Sequence, residues 1–263
     1  MQHNAFSKFL KLKSAGEKIA VLTAYDATFA HLLTEAGADA LLVGDSLGMV
    51  LQGAPDTLAV RLSDVAYHVR CVRSGAPDAV IIGDMPFGTF QISPERAFAN
   101  AVKLMAAGAS IIKIEGGLTM APTVRFLTER GIPVCAHVGL LPQWVRAQGG
   151  YKVQGRGDTA TAVREDALSM EQAGAVTMVL EMIPAVLAAE LSTHLQPPTI
   201  GIGSGRDCDG QVLVLHDMLG LSAGARKRFV KNFMADAESV QDALIAYVQA
   251  VKNGDFPAAE NAF

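Results

Sequence analysis

Cysteine is scarce and scattered. Cys71, Cys135 and Cys208 are the three in the chain, and none belongs to a C-x-x-C pair. That pattern excludes a disulfide framework and a cysteine-based zinc site, and it suits a reducing cytoplasm. An excess of one charge is also missing. A formal net charge of −4 gives no electrostatic reason to bind nucleic acid or an anionic bilayer, so neither is expected as a partner. Long apolar runs are lacking too: the most apolar stretch, Ala175 to Leu191, is broken by Glu181 and Pro184, which suits a buried strand and helix rather than a membrane span. The N-terminal MQHNAFSKFLKLKSAGEK has no uninterrupted apolar core of the signal-peptide kind and reads as a short amphipathic helix.

What the chain does contain is material for a core. It is half hydrophobic and 18% charged over 263 residues, enough for one compact unit, and residues 1–263 are read as a single domain. Five times a helical pattern runs into a glycine: Gly37, Gly75, Gly108, Gly131 and Gly174. Each glycine stands where a left-handed C-cap would end a helix. Each is followed by a short apolar run, DALLVGD, DAVIIGD, SIIKIE, IPVCAH and AVTMVLE, without the alternation of a half-exposed strand. The runs close on Asp45, Asp84, Glu115, His137 and Glu181, which lie 8, 9, 7, 6 and 7 residues after their glycines. Such regularity makes these five residues counterparts in successive βα units.

KIAVLTAY, PTIGIGSG and a weaker run at 212–215 raise the strand count to eight. Ser63, Ser93 with Pro94, and Pro184 read as helix starts, and 237–253 as a closing helix. The expected fold is an α/β TIM (β/α)8 barrel with an extra N-terminal helix.

In such a barrel the strand C-termini converge on one face, so the five residues would ring one pocket. Four of them are carboxylates, which tolerate crowding only beside a cation or when some are protonated. Oxygen ligands without cysteine point to a hard cation, Mg2+. Lys113 lies two residues before Glu115 and shares its strand face, where it can hold a substrate oxygen or pair with Asp84 or Glu115. His137 reads either as a substrate contact or as a hydrogen-bonded core residue.

Other motifs lead elsewhere. GDSLG at 44–48 matches a nucleophile-elbow pattern, but no Asp and His follow in hydrolase order. GIGSG departs from the dinucleotide fingerprint, and GGYKVQGRGD reads as a lid over the barrel mouth. The basic run ARKRFVK at 225–231 reads as a solvated or subunit-facing surface.

Six segments, TAYDATFA, LLVGDSLGMV, IKIEGG, GYKVQGRGD, DGQVLVLHD and KNF, together resemble the ketopantoate hydroxymethyltransferase family, also called 3-methyl-2-oxobutanoate hydroxymethyltransferase. The resemblance implies that Asp45, Asp84 and Glu115 bind Mg2+. It implies that Asp45, Ser46, Asp84 and Lys113 hold a 2-oxo acid and that Glu181 is the catalytic base. It further implies 5,10-methylenetetrahydrofolate as the one-carbon co-substrate, a cytoplasmic homo-decamer and a place in pantothenate biosynthesis. The chemistry would run through a Mg-stabilised enolate, with desolvation raising the Glu181 pKa so that it can take a proton. Ala59, Ala136, Leu141 and Ser204 depart from the family's usual residues, and none of these changes removes a charged site residue. The nearest competing reading is a Mg-dependent carbon–carbon lyase or phosphonomutase of a 2-oxo acid, against which stands the lack of a cysteine in the GGLTM loop. A non-catalytic ligand-binding barrel is the alternative of a different class, and it leaves base, ligand set and lysine without a purpose.

Overall fold

The computed structural model describes residues 5–222 and 227–263. Ala225 and Arg226 of the basic run, and the first four residues of the N-terminal segment, lie outside the described residues. Eight parallel strands close into a barrel in chain order: β1 Ile19–Thr23, β2 Ala40–Val43, β3 Val80–Asp84, β4 Ile111–Glu115, β5 Val134–Gly139, β6 Thr177–Glu181, β7 Thr199–Ile202 and β8 Gly210–Leu213. Nearly every strand residue is buried, because one strand face packs on the barrel interior and the other on the surrounding helices.

The helices are α1 Ala5–Ser14, α2 Ala27–Glu35, α3 Leu47–Val50, α4 Leu62–Gly75, α5 Pro94–Ala107, α6 Ala121–Thr128, α7 Ala160–Gln172, α8 Ala185–His194, α9 Leu215–Met218 and α10 Val240–Lys252. Helix α1 is the extra N-terminal one. It buries Phe9 completely, and Lys13 reaches Asp209 at 3.0 Å and the carbonyls of Ser192 and Leu195. Those partners precede β7 and β8, so α1 sits at the barrel end opposite the strand C-termini.

Four of the five expected glycine caps have positive φ: Gly37, Gly108, Gly131 and Gly174. Gly75 does not, and it serves a different purpose as the last residue of α4. A Cβ there would stand 2.0 Å from the Ala27 carbonyl oxygen, so the glycine lets α4 approach α2. Gly75→Ala is expected to destabilise the protein by about 1–3 kcal/mol, because a backbone rather than a flexible side chain must move. Chemical denaturation giving an unchanged midpoint would contradict this.

Other boundaries also differ from the sequence reading. Ser93 caps α5 by accepting from the Arg96 amide, as expected, whereas Ser63 lies inside the first turn of α4. There the Asp64 carboxylate accepts from the Arg61 amide, and a charged acceptor outcompetes a hydroxyl. Strand β8 begins at Gly210, two residues early, because a Cβ at Gly210 would meet the Ile19 carbonyl at 2.3 Å. Strand β5 runs two residues past His137, so His137 lies within its strand. Helix α10 begins only after Ser239, whose hydroxyl caps it.

Candidate active site

The strand C-termini surround a cavity of about 370 Å³ lined by Asp45, Ser46, Asp84, Lys113, Glu115, His137 and Glu181 among others. All seven residues expected from the sequence therefore share one pocket. Its wall has two arcs. From β2 round to β6 the strand ends present charged groups; Ile202 at the end of β7 and Val212, Leu213 and Val214 at the end of β8 are apolar, and Asp217, Lys227, Arg228, Phe229 and Phe263 complete the lining beyond them.

Within the charged arc, strand register brings partners level. Asp84 pairs in register with Lys113, and Glu115 with His137. The Lys113 ammonium lies 2.7 Å from Asp84 Oδ2 and 3.5 Å from Glu115 Oε1. His137 Nδ1 lies 3.5 Å from Glu115, and Nε2 lies 3.2 Å from Glu181 Oε2. Both imidazole nitrogens are within ion-pair distance yet out of hydrogen-bond alignment. Glu181 is not sealed from water as its apolar strand suggested: its side chain keeps 13% exposure beside the histidine.

The electrostatics follow from burial and neighbours. Burial lifts the Asp45 carboxyl well above the usual carboxylate range, and the charges of Asp84 and Glu115 add to it. Burial raises Asp84 as well, against the pull of Lys113. For Glu115 burial is outweighed by Lys113 and His137, which bring it below the ordinary value. Burial would lower the Lys113 ammonium, but Asp84, Glu115 and Asp45 together raise it. Burial and the Lys113 charge oppose protonation of His137, yet Glu115 and Glu181 carry it up to about 9. When fully ionised, the cluster has four carboxylates against Lys113 and His137, and four minus two leaves two negative charges.

That excess matches one divalent cation. Asp84 Oδ1 is buried without a hydrogen-bond partner, a costly arrangement unless something positive meets it; Glu115 Oε1, also outside hydrogen-bond alignment, has Lys113 and His137 each at 3.5 Å. Among the described residues, no three Asp, Glu, His or Cys side chains are already gathered around one ligating point. The unpartnered Asp84 oxygen and the carboxylates beside it are the oxygen donors that suit Mg2+, a hard cation that completes its shell with water and substrate oxygens.

Ser46 is held by the Tyr25 hydroxyl at 2.9 Å. A catalytic serine would need a histidine base at that oxygen, so GDSLG is no nucleophile elbow here. The GGYKVQGRGD segment brings Tyr151 to the cavity wall, with its hydroxyl 3.9 Å from Met49 Sδ. Ser204, one of the departures, is fully buried and donates to the Leu180 carbonyl, tying β6 to the end of β7.

Residues 3–259 match the family model described as ketopantoate hydroxymethyltransferase. The chain belongs to that family. It is 61% identical over 249 residues to 3-methyl-2-oxobutanoate hydroxymethyltransferase of Nitrosomonas europaea, covering 94% of this chain and 93% of that one. The protein of the same name from Nitrosospira multiformis is 57% identical over 256 residues, with 97% of each covered. Among solved structures, phosphonopyruvate hydrolase superposes with a TM-score of 0.64 at 15% identity, over 83% of this chain and 84% of that one. At that identity the likeness concerns the barrel alone. The expectation of a hydroxymethyltransferase built on a TIM barrel is thereby met.

For this member of the ketopantoate hydroxymethyltransferase family the sequence reading omitted several site residues. Gln143 is 3% exposed and joins two of the acids: its side-chain Nε2 donates to Asp45 Oδ2 at 2.9 Å, and its backbone N–H donates to Glu115 Oε2 at 3.0 Å. Thr57 lines the cavity with a buried hydroxyl that lacks a partner. Neither carries a charge or ends a strand, so neither pattern in the sequence could flag it. Met182, directly after Glu181, has φ of 45°; such an unfavourable conformation for a non-glycine residue is common beside functional groups.

Proposed function

We propose that this protein transfers a hydroxymethyl group from 5,10-methylenetetrahydrofolate to 3-methyl-2-oxobutanoate, giving ketopantoate for pantothenate biosynthesis in the cytoplasm. Residues 1–263 act as one catalytic domain. The observation that carries this reading is the meeting of four carboxylates, a lysine and a histidine at the strand C-termini, with Asp84 Oδ1 buried and unpartnered.

Asp45, Asp84 and Glu115 would hold Mg2+, which when bound would supply Lewis-acid stabilisation of the charge developing on the keto oxygen. The protein's own groups do the rest. Ser46 and Lys113, with Asp45 and Asp84, hold the 2-oxo acid, and the ammonium offers a fixed positive charge in a water-poor pocket. Glu181 removes the proton from C3 as general base, while His137, 3.2 Å from it, orients the carboxylate. The electron pair freed at C3 then bonds to the methylene carbon of the folate; both C–N bonds to that carbon break, water supplies the hydroxyl oxygen, and tetrahydrofolate leaves. Val212, Leu213 and Val214 give the pocket an apolar stretch at the end of β8.

The test is direct: purified protein with 3-methyl-2-oxobutanoate, 5,10-methylenetetrahydrofolate and Mg2+, followed for ketopantoate. Ketopantoate formation that stops on chelation is the expected result. Cleavage of a 2-oxo acid without folate would favour the lyase reading instead.

The assembly is proposed as a homo-decamer. Tyr67, Ile92, Leu118 and Val186 are large apolar side chains at 57%, 65%, 59% and 83% exposure, and a closed oligomer would cover such surface. Light scattering at micromolar concentration is expected to return ten times the monomer mass of 27.6 kDa. A monomer mass would contradict the proposal.

A further inference from the structure

Gln143 occupies an unusual position for a neutral residue. It belongs to the loop between β5 and α7, which also carries Tyr151, yet its side chain points away from solvent and into the acidic cluster. Its amide nitrogen donates to two acceptors, Asp45 Oδ2 and the Met85 carbonyl, each at 2.9 Å. Only an NH2 group satisfies both, so the amide can adopt one orientation alone, with Oε1 left to accept from Gln91 at 3.4 Å. Its backbone N–H holds Glu115 Oε2. One oxygen of each acid is thus occupied, and Glu115 Oε1 stays without a hydrogen-bond partner.

Other ties join this loop to the barrel mouth. Arg146 pairs with Asp56 at 2.8 Å, but its side chain is 75% exposed, and exposed pairs contribute little. The Gln154 backbone N–H donates to the Met182 carbonyl, a contact beyond the acid cluster. Leu140, the first residue after β5, is buried and donates its backbone N–H to the Glu181 carbonyl at 2.9 Å, so Gln143 supplies the buried side-chain connection between the loop and the acids.

We propose that Gln143 is a positioning residue that latches the β5–α7 loop to the acidic cluster, fixing one oxygen each of Asp45 and Glu115 so that cation binding and loop docking are thermodynamically coupled. The inference rests on the Mg2+ reading of the site. By linkage, whatever docks the loop tightens the cation, and the cation docks the loop to the same degree. Removing such an outer partner weakens a metal by about 10–100-fold.

The chain supplies its own reporter, since its one tryptophan, Trp144, is the next residue, with a buried indole nitrogen that has no partner. Full-length protein is titrated with Mg2+ alone, by calorimetry and by tryptophan fluorescence. The parent is expected to show a fluorescence change that tracks binding. Gln143→Met should bind Mg2+ about 10–100-fold more weakly and lose the fluorescence response at matched saturation. Should the Met variant not fold by circular dichroism, Gln143→Asn, one methylene too short to reach both acceptors, decides. A double-mutant cycle with Asp45→Asn separates position from bulk: the Gln143 change should have no further effect once Asp45 cannot serve as a charged partner. Parent-like Mg2+ affinity and fluorescence in the Gln143 variants, with binding abolished by Asp84→Asn, would overturn the role of Gln143 alone. Parent-like affinity in Asp84→Asn as well would overturn the metal reading on which it rests.

Discussion

Glutamine in place of Glu181 is expected to slow exchange of the C3 proton of 3-methyl-2-oxobutanoate with deuterated water by about 10²–10⁴-fold, the range a general base typically contributes. Affinity for Mg2+ and for the 2-oxo acid should stay near the parent value. The amide keeps the size of the carboxylate and can still meet His137, which lies 3.2 Å from Glu181 Oε2, but it cannot accept a proton. The loss should therefore fall on the chemical step rather than on binding. Exchange needs no folate, so NMR of the 2-oxo acid isolates proton removal from the later bond formation. A Glu181→Gln variant exchanging at the parent rate would remove Glu181 as the base and turn attention to His137, the other titratable group at that spot.

Lys113→Met is expected to be the most destabilising single change in the site. The lysine is 4% exposed, and its ammonium lies between Asp84 and Glu115; methionine retains length and apolar bulk but leaves both acids without their cation. Breaking a buried pair from one side costs about 3–5 kcal/mol. At roughly 2–4 °C per kcal/mol for a chain of this size, the melting temperature should fall by roughly 6–20 °C. Added Mg2+ should recover part of the loss, since a ligand of the folded state stabilises it by mass action. Calorimetric melts with and without Mg2+ provide the check. A variant melting with the parent in the absence of Mg2+ would mean that the acids do not depend on the lysine.

The extent to which the sequence exposed this arrangement depended on the kind of signal. Glycine-to-acid spacing worked for Asp45, Asp84, Glu115, His137 and Glu181 because each strand must cross the same barrel and deliver its end to the same mouth. The same rule misassigned Gly75, whose need is close contact with Ala27 rather than a left-handed cap. The apolar pattern also placed β8 two residues late, since Gly210 is a poor strand former in isolation and is required only by its neighbour Ile19. Gln143 was out of reach for another reason: its role arises from a loop folding back across the cluster, and nothing periodic marks a neutral amide for burial. The environment of Glu181 was misjudged because apolar strand neighbours, Val179 and Leu180, say nothing of what faces the strand's last side chain across the pocket.

The run of ion pairs along the ends of β3 to β6 has a consequence for how a change spreads. Every charge expected to take part comes from the consecutive strands β2 to β6, so a change in one of them disturbs its neighbours through shared ion pairs. The segments after β7 and β8 carry no member of that network. The run at β8 belongs to DGQVLVLHD, one of the segments that carry the family resemblance, and Asp217 with Lys227 forms a separate ion pair on that wall. A substitution on that side is therefore expected to alter what the pocket admits without breaking the run of ion pairs from Asp84 to Glu181.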